Sequence, residues 1–169
     1  MKILLDFDSN NLPQKYSKYA GENEKYMDNP IVSFPFRITE VSPSVKYFAI
    51  TLIDYDSIPV CGFAWIHWTV ANIPVSLTEI PENFSQNETY KKIQGTNSFA
   101  SALVNETDPK IIHRYVGPTP PDKDHCYKLT LYALSEKLDL TEGFYMNELY
   151  HQMQDKIIAK TSINIIGNK

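Results

Sequence analysis

Arginine is nearly absent from this chain. Of 16 basic residues only Arg37 and Arg114 carry a guanidinium, and 20 acidic residues leave the 169-residue sequence at a net charge of -4. Nucleic-acid recognition rests on a dense basic face that displaces counterions, so this balance excludes that class of partner. Cysteine is as scarce: Cys61 and Cys126 are the whole complement, too few for a disulfide framework. No apolar run approaches the roughly 18 residues of a membrane span. The opening MKILLDFDS loses its apolar character at Asp6, which is too early for the hydrophobic segment of a secretory signal. Together these absences read as a cytoplasmic protein with reduced thiols. Asn83-Phe84-Ser85, Asn87-Glu88-Thr89 and Asn105-Glu106-Thr107 match glycosylation acceptors, but without a secretory route they read as polar loop.

What is present supports one folded domain over residues 1–169. Hydrophobic residues make up 43% and charged residues 21% of the chain, an ordinary balance for a globular core. Val45–Ile53 (VKYFAITLI) is β-branched, aromatic and almost continuously apolar, the pattern of a central strand buried on both faces. Phe63–Ile73 and His125–Leu134 read as two more strands, and Thr161–Ile166 as a last one. Residues 9–30 are polar and turn-rich. Residues 75–122 read as long connections with a short helix near Thr89–Ile93. One amphipathic helix is expected over Glu142–Ala159, with Thr141 as its N-cap. Its apolar stripe is Met146, Leu149, Tyr150, Met153 and Ile157. Helices do not separate the strands, as a doubly wound α/β fold requires. The fold class is therefore mainly β: an antiparallel β-sandwich with long loops and one C-terminal helix before a last strand.

The chemistry concentrates in two stretches. LIDYDSIPVCGFAWIHWTVANIP, Leu52 to Pro74, ends one strand in Asp54 and Asp56 and sets His67 between tryptophans in the next. Strict alternation puts Phe63, Trp65, His67 and Thr69 on one face, with Ala64, Ile66, Trp68 and Val70 opposite. Trp65 then belongs to a pocket wall and Trp68 to the core. YVGPTPPDKDHCYKLTLYAL, Tyr115 to Leu134, feeds a stiff proline loop into His125 and Tyr127, which share a face at a strand's start. Taken singly, the bland readings are a hydrogen-bonded core histidine, turn-forming aspartates and packed tryptophans.

In combination these motifs resemble the phosphatidylethanolamine-binding protein family, in its bacterial and archaeal Raf-kinase-inhibitor-like branch. The resemblance rests on Asp54-x-Asp56, Trp65-x-His67, Tyr115-x-Gly117-Pro118-x-Pro120-Pro121 and His125-x-Tyr127, with Leu12–Tyr16 (LPQKY) in support. It implies a β-sandwich with a small anion pocket lined by Asp54, Asp56, Trp65, His67, Gly117, Pro120, Pro121, His125 and Tyr127. The implied ligand is a phosphate or carboxylate group or a phospholipid headgroup. No catalysis, cofactor or bound metal is implied. Kinases or proteases are the implied protein partners, and homodimers occur in this branch. Two departures stand out: Tyr55 replaces the proline of the family's Asp-Pro-Asp, and Cys126 replaces the arginine of His-Arg-Tyr. With Tyr55, the peptide that tends to be cis in the family is expected to be trans. The rival class is an enzyme, a small hydrolase or a metal-dependent one, using His67 with Asp54 and, for a metal, His125. As nucleophiles, neither Ser57 nor Cys126 has a supporting motif.

Overall fold

The computed structural model describes residues 1–169. Ten strands are present: β1 Lys2–Leu5, β2 Lys25–Tyr26, β3 Asn29–Pro30, β4 Phe36–Thr39, β5 Tyr47–Asp54, β6 Trp65–Pro74, β7 Glu79–Ile80, β8 Ile93–Gln94, β9 His125–Leu134 and β10 Ile157–Gly167. A five-stranded sheet runs β10-β9-β5-β6-β8, a three-stranded sheet runs β1-β4-β7, and β2 pairs with β3. Every ladder is antiparallel. The short helices are α1 Ile58–Cys61 and α2 Pro109–Ile112, and α3 Met146–Met153 is the one of two turns. The expected mainly β architecture, with one C-terminal helix before the last strand, is what the chain adopts.

The larger sheet is apolar on both faces. Towards the smaller sheet, Phe48, Ile50, Leu52, Trp68, Val70, Leu129 and Leu131 pack with Ile3, Phe36 and Ile38. On the other face Ala49, Ala71, Tyr132 and Leu134 meet Leu138, Phe144 and the α3 residues Leu149 and Met153. This double burial explains the unbroken hydrophobicity of β5, since a strand alternates only where one of its faces is wet.

Several boundaries differ from the sequence expectation. The helix is shorter than Glu142–Ala159. Gly143 has a positive φ of 83° and Asp155 one of 63°, which confines helical backbone to the residues between them. Tyr145, not Thr141, stands at its N-cap, where the Glu148 carboxylate accepts the Tyr145 N–H at 2.7 Å. Ile157 leaves the stripe and opens β10. Residues 89–93 form no helix, and Ile93 instead starts the edge strand β8.

The alternation drawn for β6 is also corrected. Asp54 lies opposite Trp65, Ile53 opposite Ile66, and Leu52 opposite Trp68. One step along β5 therefore spans two along β6, and His67 is the extra residue of a β-bulge. Leu52 and Asp54 share a face, so their partners Trp65 and Trp68 share it too. Trp68 is core as expected, packed on Tyr115 at 5.7 Å and Phe84 at 6.2 Å, but it is not on the opposite face. Thr69, opposite Thr51, is the residue that turns away. The bulge lets a polar ring and an indole point the same way from adjacent positions.

Candidate functional site

A cavity of about 220 Å³ opens where β5 ends and where β6 and β9 begin. Asp54 sits opposite Tyr127 on one side and Trp65 on the other, which fixes three of its walls by strand register. Of the residues singled out from sequence, Asp54, Trp65, His67, Pro120, Pro121, His125 and Tyr127 line it. Asp56 and Gly117 do not. The Asp56 carboxylate accepts the Cys126 N–H at 2.8 Å and ties the start of β9 to the turn. Gly117 supports the proline loop from behind. Its N–H donates to the Pro30 carbonyl at 2.8 Å, and a Cβ there would lie 2.2 Å from the Tyr16 carbonyl oxygen. Glycine is required because backbone meets backbone at that point.

Asp54 is buried and serves two purposes at once. One carboxylate oxygen accepts the Ser57 N–H at 3.1 Å, closing the turn into α1. The other meets His125 Nδ1 at 2.7 Å. His125 is 1% exposed, and its Nε2 lies 2.8 Å from a carboxylate oxygen of Asp122. Two carboxylates flanking one ring require both nitrogens to donate, which is the imidazolium form. Burial opposes that charge, but the hydrogen bonds to Asp54 and Asp122 outweigh it and raise the His125 pKa.

His67 behaves oppositely. It is 4% exposed, and burial lowers its pKa to about 4 against the Val116 hydrogen bond and the Asp54 charge, which raise it. Its Nδ1 lies 2.7 Å from the Val116 carbonyl oxygen and so carries the proton. Nε2 is left as a bare acceptor on a ring that lines the cavity. The Val116 N–H donates back to the His67 carbonyl at 3.3 Å, so the bulge and the proline loop clasp each other. The Tyr127 ring packs edge-on against His67 at 5.1 Å. Burial and the Asp54 and Asp56 charges push its phenol well above the usual range, so it stays a neutral donor.

All peptide bonds are trans, including the one before Tyr55. The Pro118 and Pro120 carbonyls accept from the Lys18 N–H and Nζ, each at 2.9 Å, which pins the rim to the N-terminal segment. Trp65 stacks on Phe63 at 5.7 Å and meets Phe99 edge-on at 5.4 Å. The remaining lining residues are Ser57, Val60, Cys61, Leu103 and Thr119. Ser-Ile-Pro is the signal that reaches the first three, since proline near a helix start marks α1. Leu103 comes from the middle of the long connection and carries no such mark. Both cysteines are free thiols. Burial and the Asp56 and Asp54 carboxylates push the Cys126 thiol up, away from nucleophilic thiolate. No group of three or more His, Cys, Asp and Glu side chains is arranged to hold a metal ion, and both His125 nitrogens are already engaged.

The family model for phosphatidylethanolamine-binding proteins matches residues 6–167. The chain belongs to that family. It is 55% identical over 156 residues to the uncharacterised protein YxkA of Bacillus subtilis, covering 92% of this chain and 93% of that one. It is 34% identical over 155 residues to the UPF0098 protein PH1269 of Pyrococcus horikoshii, covering 85% of this chain and 71% of the relative. A crystal structure of a phosphatidylethanolamine-binding protein homologue, CT736 of Chlamydia trachomatis, superposes with a TM-score of 0.78 at 25% identity, covering 99% and 96% of the two chains. Escherichia coli YbcL shares the fold at a TM-score of 0.76 and 22% identity, over 99% and 98% of the chains. No helix of the structure is long and apolar enough to cross a membrane.

Proposed function

We propose that this family member is a non-catalytic binding protein whose pocket takes a small anion. The ligand class is a phosphate or carboxylate group, free or as a phospholipid headgroup. Regulation of a kinase or protease by binding is the biological use that the family resemblance suggests for it. The observation that carries the reading is the free Nε2 of buried His67. The His67 ring lines a preformed cavity together with Tyr127 and with Thr119, whose N–H donates to no protein carbonyl.

The difficulty is electrostatic. At 4 Å and an effective dielectric of 20, Asp54 repels a unit anion by about 4 kcal/mol. The His125 imidazolium already offsets the Asp54 charge. An incoming anion then brings the compensation for itself, because its charge favours a proton on His67 Nε2. Binding is therefore coupled to proton uptake by a ring that is neutral in the empty site.

Calorimetry with phosphoethanolamine and with acetate tests this. Affinity should rise as pH falls from about 8 to 6, approaching tenfold per pH unit where one full proton is taken up. His67→Ala should abolish binding. Equal affinity at both pH values, or undiminished binding by the variant, removes His67 from the site. The hydrolase alternative draws less support. Ser57 Oγ lies within 2.8 Å of the Asp54 carbonyl and 2.9 Å of the Phe63 carbonyl, and accepts the Trp65 N–H at 2.9 Å. Its proton is shared between two backbone carbonyls and one lone pair is taken by the Trp65 N–H, with no base among its partners.

A further inference from the structure

The opposite ends of β5, β6 and β9 form a second concavity, of about 1020 Å³. Here Tyr47 lies opposite Leu134 and Pro74, and the turns beyond these strands build the walls. Four lysines line it, Lys46, Lys91, Lys92 and Lys137, against one carboxylate, Glu136. Glu136 already pairs with Lys156 at 3.6 Å. Lys92 is also engaged. Its Nζ donates to the Asn87 carbonyl at 2.7 Å and sits 4.8 Å above the Phe84 ring. Lys46, Lys91 and Lys137 are exposed and join no ion pair. A chain of net charge -4 thus gathers three uncompensated ammonium groups around one groove.

The groove's framework is fixed although its lysines are free. Asn72, 6% exposed at the second irregularity of β6, donates to the Leu138 carbonyl at 3.0 Å and accepts the Leu138 N–H at 2.8 Å. That pair of bonds holds the Ser135–Leu140 wall against the strand end. Between the lysines the surface is apolar, from Pro74, Val75, Ile93 and Leu140.

We infer that this groove docks an acidic peptide segment of a partner protein in which carboxylates alternate with apolar side chains. Charge complementarity selects an anion. A compact anion is a poor fit, because lysines on flexible stems around a wide groove offer no converging fork of donors. A nucleic acid is disfavoured by the acidic whole and the absence of arginine from the groove. An extended acidic chain satisfies the separated ammonium groups one by one and covers the apolar floor between them.

Fluorescence anisotropy with a labelled peptide of repeated Glu-Glu-Leu-Ser units tests the assignment at low and physiological salt, beside its Gln-Gln-Leu-Ser counterpart. The acidic peptide should bind, weaken with salt, and lose at least about tenfold in affinity to the triple variant Lys46→Glu, Lys91→Glu, Lys137→Glu. His67→Ala should bind it unchanged, which separates this surface from the anion pocket. The triple variant is checked by circular dichroism, and Lys→Gln at the same positions should give an intermediate loss. Equal binding of the glutamine peptide, or full binding by the folded triple variant, overturns the proposal. So does a single-stranded oligonucleotide that outcompetes the peptide.

Discussion

The same three strands end in two different ways. At one end Asp54, His67 and His125 are buried and bonded to named partners; those bonds favour the charged form of His125, and burial favours the neutral form of His67. At the other end Lys46, Lys91 and Lys137 stand in water without a carboxylate. Charges buried at a strand end must be satisfied or they unfold the chain, so that site is rigid before any ligand arrives. Exposed charges carry no such penalty and can wait for a partner. On the two proposals, one end suits a small ligand of fixed shape and the other an adaptable one.

The most forceful way to break the contrast is Asp54→Asn. The amide nitrogen must then face a donor, either the Ser57 N–H or the His125 Nδ1–H, and the buried imidazolium loses half its compensation. A loss of about 3–5 kcal/mol is expected, read as a lower urea midpoint with unchanged slope. A loss below about 1 kcal/mol would mean the buried end is no more constrained than the exposed one.

The two histidines give the next largest effect, with opposite signs. His67 titrates near 4 in the folded chain, below the roughly 6.5 of an unfolded histidine. Between those values the unfolded chain binds the extra proton. Its contribution is therefore complete above about pH 6.5 and lost towards pH 4, by about 3 kcal/mol. His125 is raised, so its contribution is complete below about pH 6.5 and is lost as pH climbs through its folded value. Denaturation of wild type, His67→Gln and His125→Gln across pH should flatten the acid limb in the first variant and the alkaline limb in the second. Interchanged limbs would place the proton on the wrong ring.

A third test reaches the site through its scaffold. Gly117→Ala puts a methyl group against the Tyr16 carbonyl, so the loop carrying Thr119, Pro120 and Pro121 must shift. About 1–3 kcal/mol of stability should go. Affinity for phosphoethanolamine should fall further than stability alone explains, while acidic-peptide binding at the lysine end is untouched.

What could be read in the sequence divides along the same line. β5 and β9 were legible because double burial writes a continuous apolar run, and β9 begins and ends at the residues expected. Asp54, Trp65, His67, His125 and Tyr127 were legible because they sit on strands or at strand ends, where position in the chain fixes position in space. The bulge at His67 was not, since an inserted residue leaves the apolar pattern intact while reversing the faces beyond it. The protonation of the two rings was not legible either. Sequence shows an aspartate near a histidine, but not that Asp54 spends its free oxygen on His125 and leaves His67 to desolvation. Asp122 and Leu103 depend on loop paths, and Gly117 on a close approach from 101 residues away. The lysine groove was invisible for a related reason: Lys46, Lys91 and Lys137 meet only after the sheet has formed.

The smallest expected effect is also the most discriminating. If the lysine end carries no structural duty, replacing Lys46, Lys91 and Lys137 together by alanine should leave stability within about 0.5 kcal/mol of wild type. The sign should be positive at low salt, because three ammonium groups around one groove repel one another and the one carboxylate there, Glu136, is already paired with Lys156. Salt screens that repulsion over about 10 Å at 0.1 M, so the difference should fade as ionic strength rises. Urea midpoints at two salt concentrations measure both the size and the trend. A destabilisation beyond about 1 kcal/mol would show that the lysine stems hold the Ser135–Leu140 wall in place by packing. The two ends would then differ in burial but not in kind, and the groove would be part of the scaffold.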